Sequence, residues 1–326
     1  PARHEPLSGP VHVAQVSFYV DPARRSPERL LDAWPSLVDI AEAARAGGVR
    51  VTVVQACTTA AVLRRADVEY RFVDAEPAGL ARAPAFAALL RALRPDVVHV
   101  HGFETPADVT ALARVYGGPI LIQDHAARVP RFLWRRAALR RALRAASAAT
   151  FCAVEQARPF AALLSPATRV LAVPESTSRF TPGDGAAARA TTDVHGNPAV
   201  LWVGHLDANK SPLVVLRGVE RALERLPDLR LWCCYGSAPL LPEVERFLAA
   251  RPALRARVHL LGRVPHERVE SLMRAADLFV LGSRREGSGY ALIEALACGL
   301  PPVVTDIPSF RALTGDGQIG HLWPVG

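Results

Sequence analysis

The chain has 326 residues, half of them hydrophobic (50%), and a net charge of +8 carried by 38 arginines and one lysine against 31 acids. That length exceeds a usual single domain and can bury two cores. There is no apolar run near the ~18–20 residues of a membrane span, no signal pattern, and no zinc or disulfide spacing among five scattered cysteines. These features exclude an integral helical membrane protein, a zinc module and a disulfide-built secreted domain. A reduced, cytoplasmic setting is expected.

In chain order, short apolar runs alternate with helix-period segments, the pattern of an α/β chain with parallel sheets. Strands are expected at 11–16, 50–55, 70–73, 96–100, 119–123 and 149–154, with helical segments such as "FAALLRAL" and "LWRRAALRRALRAA" between them. His99 and His101 close one of these strands and read as packing residues. The segment 128–144 holds seven arginines and no acid, interleaved with Phe132, Leu133, Trp134, Leu139 and Leu143. Functionally it reads as a basic amphipathic helix that meets an anionic acceptor or membrane surface, but an ordinary helix with a solvated arginine face is the plainer and preferred reading. A polar, turn-rich passage at 174–198 then interrupts the alternation and marks a domain boundary. Beyond it the pattern restarts, with strands at 199–204, 229–236, 257–262, 277–282 and 301–306. Two Rossmann-like domains result, 1–184 and 185–326, facing each other across a cleft, with ligands expected beyond the carboxyl ends of the strands.

The single lysine, Lys210, stands in "VGHLDANKSP" (203–212). Gly204-x4-Asn209-Lys210-Ser211 has the spacing of a P-loop with Asn in place of the second glycine. The loop is otherwise poor in glycine, and no strand ending in a convincing magnesium-binding Asp accompanies it. A solvated loop lysine is the plain alternative, but it leaves the choice of Lys over Arg unexplained. Lysine meets phosphate as a mobile point charge, where arginine imposes a planar fork.

A second stretch, "RREGSGYALIEALACGLPPVVTD" (284–306), places Glu286 and Glu294 on either side of a helix start expected near Gly289. At ~1.5 Å rise per residue the carboxylates stand roughly 10 Å or more apart. That is too far for the ~5–9.5 Å pair of a glycosidase and suits two grips on one elongated ligand. The turn between them supplies backbone N–H groups at a helix N-terminus, an anion site. Glu294 has apolar neighbours and needs a partner or a ligand hydroxyl; a capping Glu286 and a solvated Glu294 are the plain alternative.

Together these stretches resemble the retaining glycosyltransferases of family four, which have the GT-B fold. Glu286-x7-Glu294 matches the family's Glu-x7-Glu motif, and "VGHLDANK" matches its V-G-R-L-x-x-x-K. The two stand in the family's order, about 76 residues apart (286 − 210), and "HLLGRVPHERVESLMRAADLFVLGS" (259–283) resembles the stretch between them. The resemblance implies an acceptor-binding first domain and a second domain that binds a nucleotide-diphosphate-sugar donor, UDP- or GDP-linked. Lys210 would bind the diphosphate beside Gly204 and His205, the latter standing where the family has a phosphate-binding Arg. Glu286 would hydrogen-bond the donor sugar and Glu294 the ribose. The backbone of Gly287, Ser288, Gly289 and Tyr290 would cap the phosphates, and Arg263 lies where the family's loop meets the nucleobase. His125, in "LIQDHAARVPR", takes the place of the histidine that faces the transferred sugar. Glu286, His125 and Lys210 are the expected catalytic residues.

No DxD sequence is present to hold a metal, so metal-independent transfer without a cofactor is expected, with fixed donors meeting the charge of the leaving diphosphate. The acceptor is expected to be a small molecule, a lipid-linked species or a glycan, and not a nucleic acid. Peripheral attachment to the inner face of a membrane through 128–144 is a further expectation. Three departures from the family pattern stand out. His205 leaves one phosphate contact uncharged or pH-dependent. "QVSFYVDPARRSPERL" lacks the glycine-rich loop that follows the first strand. The chain stops at "HLWPVG", where the family continues into helices that return to the first domain, so a truncated chain is expected. Two other readings stay open: a nucleotide-sugar epimerase or phosphorylase on the same scaffold, and a non-catalytic sugar-nucleotide-binding protein. A Rossmann dehydrogenase is disfavoured, because no G-x-G-x-x-G follows either domain's first strand.

Overall fold

Valine-rich runs become buried strands in both halves of the chain, as fits parallel sheets covered on both faces. The computed structural model describes residues 9–75, 83–125, 128–174 and 176–326. The chain divides into two units, Pro1–Thr177 and Ser178–Gly326.

The first unit contains β1 (His12–Ser17), β2 (Arg50–Cys57), β3 (Ala61–Arg65), β4 (Val68–Asp74), β5 (Val97–His101), β6 (Ile120–Gln123), β7 (Ala148–Phe151) and β8 (Arg169–Ala172). They form one sheet in the order β3-β4-β2-β1-β5-β6-β7-β8. Every pairing is parallel except β3 with β4. Two of these strands, β3 and β8, escaped the sequence reading. The hairpin from β3 to β4 turns at Ala66 and Asp67, both left-handed (φ 47° and 60°). A two-residue hairpin wants that geometry, usually from Asn or Gly, and neither is there to announce it. At the other edge, β8 is four residues long and largely uncovered.

The second unit contains β9 (Ala199–Val203), β10 (Arg230–Cys234), β11 (Val258–Gly262), β12 (Leu278–Leu281), β13 (Pro302–Thr305) and β14 (His321–Trp323), in the parallel order β11-β10-β9-β12-β13-β14. This is the doubly wound arrangement 3-2-1-4-5-6, whose strand order reverses between the first and fourth strands. Here the reversal lies between β9 and β12. In the first unit it lies between β1 and β5.

The division falls seven residues (184 − 177) before the 184/185 expected from sequence. Phe180 is already buried in the second core, and the Arg274 Nε–H donates to the Thr181 carbonyl at 2.8 Å. Nor is the passage 174–198 all loop: it contains the helix Gly185–Thr192. Asp184 caps that helix, its Oδ1 accepting from the N–H groups of Ala186 (2.8 Å) and Ala187 (3.3 Å). Arg189 fastens it to the Ala275 carbonyl (2.8 Å) and to Asp277 (2.7 Å). An acidic cap ahead of an alanine-rich run favours a helix, and the surrounding turn residues hid it.

All five cysteines are buried thiols. Among the described residues no helix is long and apolar enough to cross a membrane.

At the centre of the second core, Leu201 of β9 is fully buried and lies in register with Phe279 of β12 and Trp232 of β10. Leu201→Ala should destabilise this unit by about 2–5 kcal/mol, through lost transfer energy plus an unfilled cavity. Urea unfolding followed by tryptophan fluorescence would show the lowered midpoint, and an unshifted midpoint would mean that the core is not packed on this residue.

Candidate active site

Neighbouring strands β9 and β12 send their following loops out at the point where the strand order reverses. The β9 loop runs from Gly204 to Ser211 and enters the helix Pro212–Ala222; the β12 loop runs from Gly282 to Gly289 and enters the helix Tyr290–Ala297. The loops are tied together twice. The Arg284 N–H donates to the Asn209 carbonyl at 2.7 Å, and Asn209 Nδ2 donates to the Arg285 carbonyl at 2.9 Å. Asn209 thus takes the place of the second P-loop glycine to form a cross-link, which glycine cannot do. Asp207 Oδ1 accepts from the Lys210 N–H at 2.9 Å, and Ser211 turns with φ 49° to start the helix. The fit is close at Gly282, where a Cβ would stand 3.0 Å from both the Lys210 carbonyl and Val215 Cγ2.

This clamp brings Lys210 Nζ onto Glu286 Oε1. The two side chains are only 15% and 14% exposed, a setting in which each charge needs its partner. Ser283 Oγ donates to the same carboxylate oxygen at 2.5 Å. Ser283 is itself buried, and its carbonyl accepts from Thr305 Oγ1 at 2.5 Å. Asp207 was not singled out from sequence, Asn209 only as the stand-in for a P-loop glycine, and Ser283 not at all. The signal for the first two was present in "DANK", since Asp and Asn characteristically bond nearby backbone in turns; Ser283 carried none.

Gly287, Ser288 and Gly289 are buried, while Tyr290 is exposed. Gly289 has φ 87°, and a Cβ there would meet Phe310 Cε1 at 2.6 Å. Only glycine lets this helix start lie on Phe310, which carries the positive end of the helix dipole to the Glu286 loop. Glu294, one face along the helix, is 12% exposed and meets His266 Nε2 at 2.7 Å through Oε1. The partner that its apolar neighbours demanded is therefore His266, whose ring packs on Phe180 with centroids 4.8 Å apart. Arg263 is exposed just beyond β11. His205 is exposed as well, and its Nδ1 accepts from the Ser237 N–H at 3.1 Å. An accepting ring nitrogen carries no proton, so neutral His205 presents Nε2–H as a donor. Among the described residues no group of three or more His, Cys, Asp and Glu side chains is placed to hold a metal ion.

In the first unit, the carboxyl end of β5 carries His99 and His101, with ring centroids 4.4 Å apart. His125, just after β6, lies 5.5 Å from His101. The expected packing histidines and the expected catalytic one form a single cluster. Burial pushes the His99 imidazole down to about 4, and burial with the neighbouring imidazoles holds His101 well below its ordinary value. Both are neutral near pH 7. The glycine-free loop after β1 is ordered by Asp21, which accepts from the N–H groups of Ala23 and Arg25 (both 3.1 Å) and pairs with the Arg25 guanidinium at 3.0 Å. A carboxylate does there what glycine would have done by flexibility.

The family described as glycosyl transferases group 1 matches residues 197–326, and glycosyltransferase family 4 matches residues 35–174. The chain belongs to the family-four GT-B glycosyltransferases. It is 29% identical over 254 residues to the GDP-mannose:cellobiosyl-diphosphopolyprenol alpha-mannosyltransferase of Xanthomonas oryzae pv. oryzae, covering 75% of this chain and 65% of the relative. It is 35% identical over 151 residues to the D-inositol 3-phosphate glycosyltransferase of Nocardia farcinica, covering 44% and 34%. With the alpha-D-kanosaminyltransferase of Streptomyces kanamyceticus the identity is 30% over 232 residues, covering 65% and 59%. The chain thus spans less than two thirds of the length of these curated relatives. In fold it resembles the sucrose-phosphate synthase of Thermosynechococcus elongatus (TM-score 0.67, 20% identity, 97% of this chain and 86% of that one). It also resembles Anabaena HepE in complex with UDP and glucose (TM-score 0.65, 19% identity, 97% and 86%). At these identities the likeness speaks for the GT-B fold, two Rossmann-like domains, in a family-four chain.

The histidine cluster sets a pH dependence. With its native pKa below the unfolded value, His99 contributes stability that is complete above about pH 6.5 and is lost as the pH falls toward about 4. First-unit stability should fall by roughly 1–3 kcal/mol over that window, discounted for the ring's partial exposure. His99→Gln should flatten the corresponding part of a urea-midpoint profile, and an unchanged profile would show that His99 does not titrate with folding.

Proposed function

We propose that the chain catalyses retaining, metal-independent transfer of a sugar from a UDP- or GDP-linked donor to an acceptor hydroxyl. The observation that carries this reading is the chain's one lysine, held by Glu286 where the strand order of the second sheet reverses. Support for a nucleotide-sugar donor comes from the relative named for GDP-mannose and from the fold neighbour solved with UDP and glucose.

In this reading the donor diphosphate lies against Lys210 and the start of the helix Tyr290–Ala297. As the bond from the anomeric carbon to the diphosphate oxygen breaks, its electron pair passes to the phosphate, the acceptor oxygen bonds to the carbon, and the acceptor's hydroxyl proton passes to the leaving phosphate oxygen. Charge building on the leaving oxygen is met by groups already fixed in place, the largest expected catalytic term. An ammonium has three N–H donors, so Lys210 serves Glu286 with one and phosphate oxygens with the others. A guanidinium's paired donors would instead be captured by the Glu286 carboxylate. Nε2–H of His205 adds a neutral donor in place of a second cation. Glu286 is assigned to the transferred sugar's hydroxyls, Glu294 with His266 to the ribose, Arg263 to the base, and His125 in the first unit to the transferred sugar. The acceptor class remains a small molecule, a lipid-linked species or a glycan.

A thermal-shift screen with UDP, GDP and their sugars tests the donor site. A nucleotide at a hundred times its Kd should stabilise the protein by about 2.7 kcal/mol. Lys210→Ala should abolish the response, and Lys210→Arg should lower kcat/KM by about a hundredfold or more despite keeping the charge. An intact response in Lys210→Ala would remove the lysine from the site. Turnover should also survive excess chelator; loss of activity with rescue by magnesium or manganese would overturn metal independence.

A further inference from the structure

We infer that the segment from Arg128 to Arg144 is a membrane-docking surface, in which Phe132, Leu133 and Trp134 enter an anionic lipid bilayer and the surrounding arginines hold its headgroups. The docking stands on its own observations. Its consequence, an acceptor presented from a lipid surface, rests on the transferase reading above.

The charge distribution is the first observation. Between His125 and Val154 there are seven arginines and no acid. The rest of the chain holds 32 basic residues (39 − 7) against 31 acids, so this one segment supplies nearly all of the net +8. Arginine richness is a habit of the whole sequence, but summed over the rest of the chain it is balanced by acids, although 246–266 also holds five arginines and no acid. All seven of these arginines are exposed.

The second observation is apolar. Phe132, Leu133 and Trp134 are consecutive and are 61%, 80% and 66% exposed. They are not core residues awaiting a partner within the helix, because Leu133–Ala145 already buries Leu139, Ala142 and Leu143 at i, i+3 and i+4 spacing. Arg135 lies over the Trp134 ring, its Cζ 4.9 Å from the centroid, so charge and apolar surface share one patch. A nucleic acid would satisfy the arginines and could stack on Phe132 and Trp134, but the still more exposed Leu133 between them offers no ring to a base. An anionic bilayer takes both, apolar side chains at the acyl boundary and cations at the headgroups.

Placement supplies the consequence. Phe132 follows His125 by seven residues (132 − 125) in the connection from β6 to its helix. The helix therefore starts at the carboxyl end of the first sheet, the end that carries the imidazole cluster. An amphiphilic acceptor anchored in the bilayer would meet the protein at that end.

The test uses the full chain and vesicles of phosphatidylcholine alone or of equal parts phosphatidylcholine and phosphatidylglycerol. The chain should co-sediment with the mixed vesicles only, with a blue shift in tryptophan emission. Phe132→Ser with Leu133→Ser and Trp134→Ser should weaken binding at least tenfold. Each of Arg135→Gln, Arg136→Gln, Arg140→Gln and Arg141→Gln should weaken it by up to about fivefold, the worth of one cation at such a surface. These side chains are exposed, so unchanged melting would confirm that the variants are folded. Trp134→Phe should keep the binding and lose the blue shift. Equal binding to both vesicles, full binding by the triple variant, or a blue shift surviving in Trp134→Phe would overturn the proposal. So would tight binding of duplex DNA or RNA by wild type and triple variant alike, without vesicle binding. No donor or turnover enters this readout, so it fails or succeeds independently of the transferase reading.

Discussion

The candidate site of the second unit depends on one ion pair, Lys210 with Glu286, and on the conditions that let two mostly buried charges meet. Neither charge would be stable there alone. The carboxylate is fixed by Ser283, which is fixed by Thr305; the ammonium is fixed by a loop turned at Asp207 and Ser211. Between them run the two links at Asn209, and Gly282 leaves room for the Lys210 carbonyl. Each of these residues is small, turn-forming or short-chained for the same reason: the pair forms only if the two loops come within backbone contact.

The pair spans 76 positions of sequence (286 − 210) because the winding of the sheet reverses. The chain lays β10 and β11 on one side of β9 and returns to lay β12 on the other. The loops after β9 and β12 therefore leave the sheet side by side. No local signal could hold two such segments together. The hydrophobic packing of Leu201, Phe279 and Leu281 does so, and the polar clamp then refines a proximity that the core has already set.

Alternation of apolar runs was enough to read the α/β class and most strands, since parallel strands buried on both faces stand out as continuous valine-rich segments. What escaped was structure made by context. The β3 hairpin turns on Ala66 and Asp67, residues with no strong bias to left-handed backbone of the kind glycine has. The helix Gly185–Thr192 is eight residues long and owes much of its position to Arg189 and its two anchors. At the site, Lys210 was visible because it was unique, and the carboxylates because of their spacing. Their supports were not, because a serine that orients a carboxylate looks in sequence like any other serine. His266 shows the same limit: the need for a partner to Glu294 was legible, and the identity of the partner required the fold.

The two units solve the placement of polar groups at a strand reversal by opposite means. The second unit gathers charge and balances it within the protein, an ammonium against a carboxylate at the end of a helix. The first gathers imidazoles and keeps His99 and His101 neutral by burial, so that these two rings supply donors and acceptors without charge. Opposed strategies follow from what each could hold. Positive charge next to Glu286 is balanced by the carboxylate and would serve the proposed diphosphate, whereas positive charge among three neighbouring histidines would repel itself in a poorly solvated place. The first unit's cations lie instead on the surface between Arg128 and Arg144, where water screens their mutual repulsion and no carboxylate cancels their field. Under the two proposals the choice of cation has one physical logic: arginine's rigid fork would be effective across a wide array of headgroup oxygens, and lysine's rotatable point charge at position 210 would be effective where one group serves Glu286 and a phosphate.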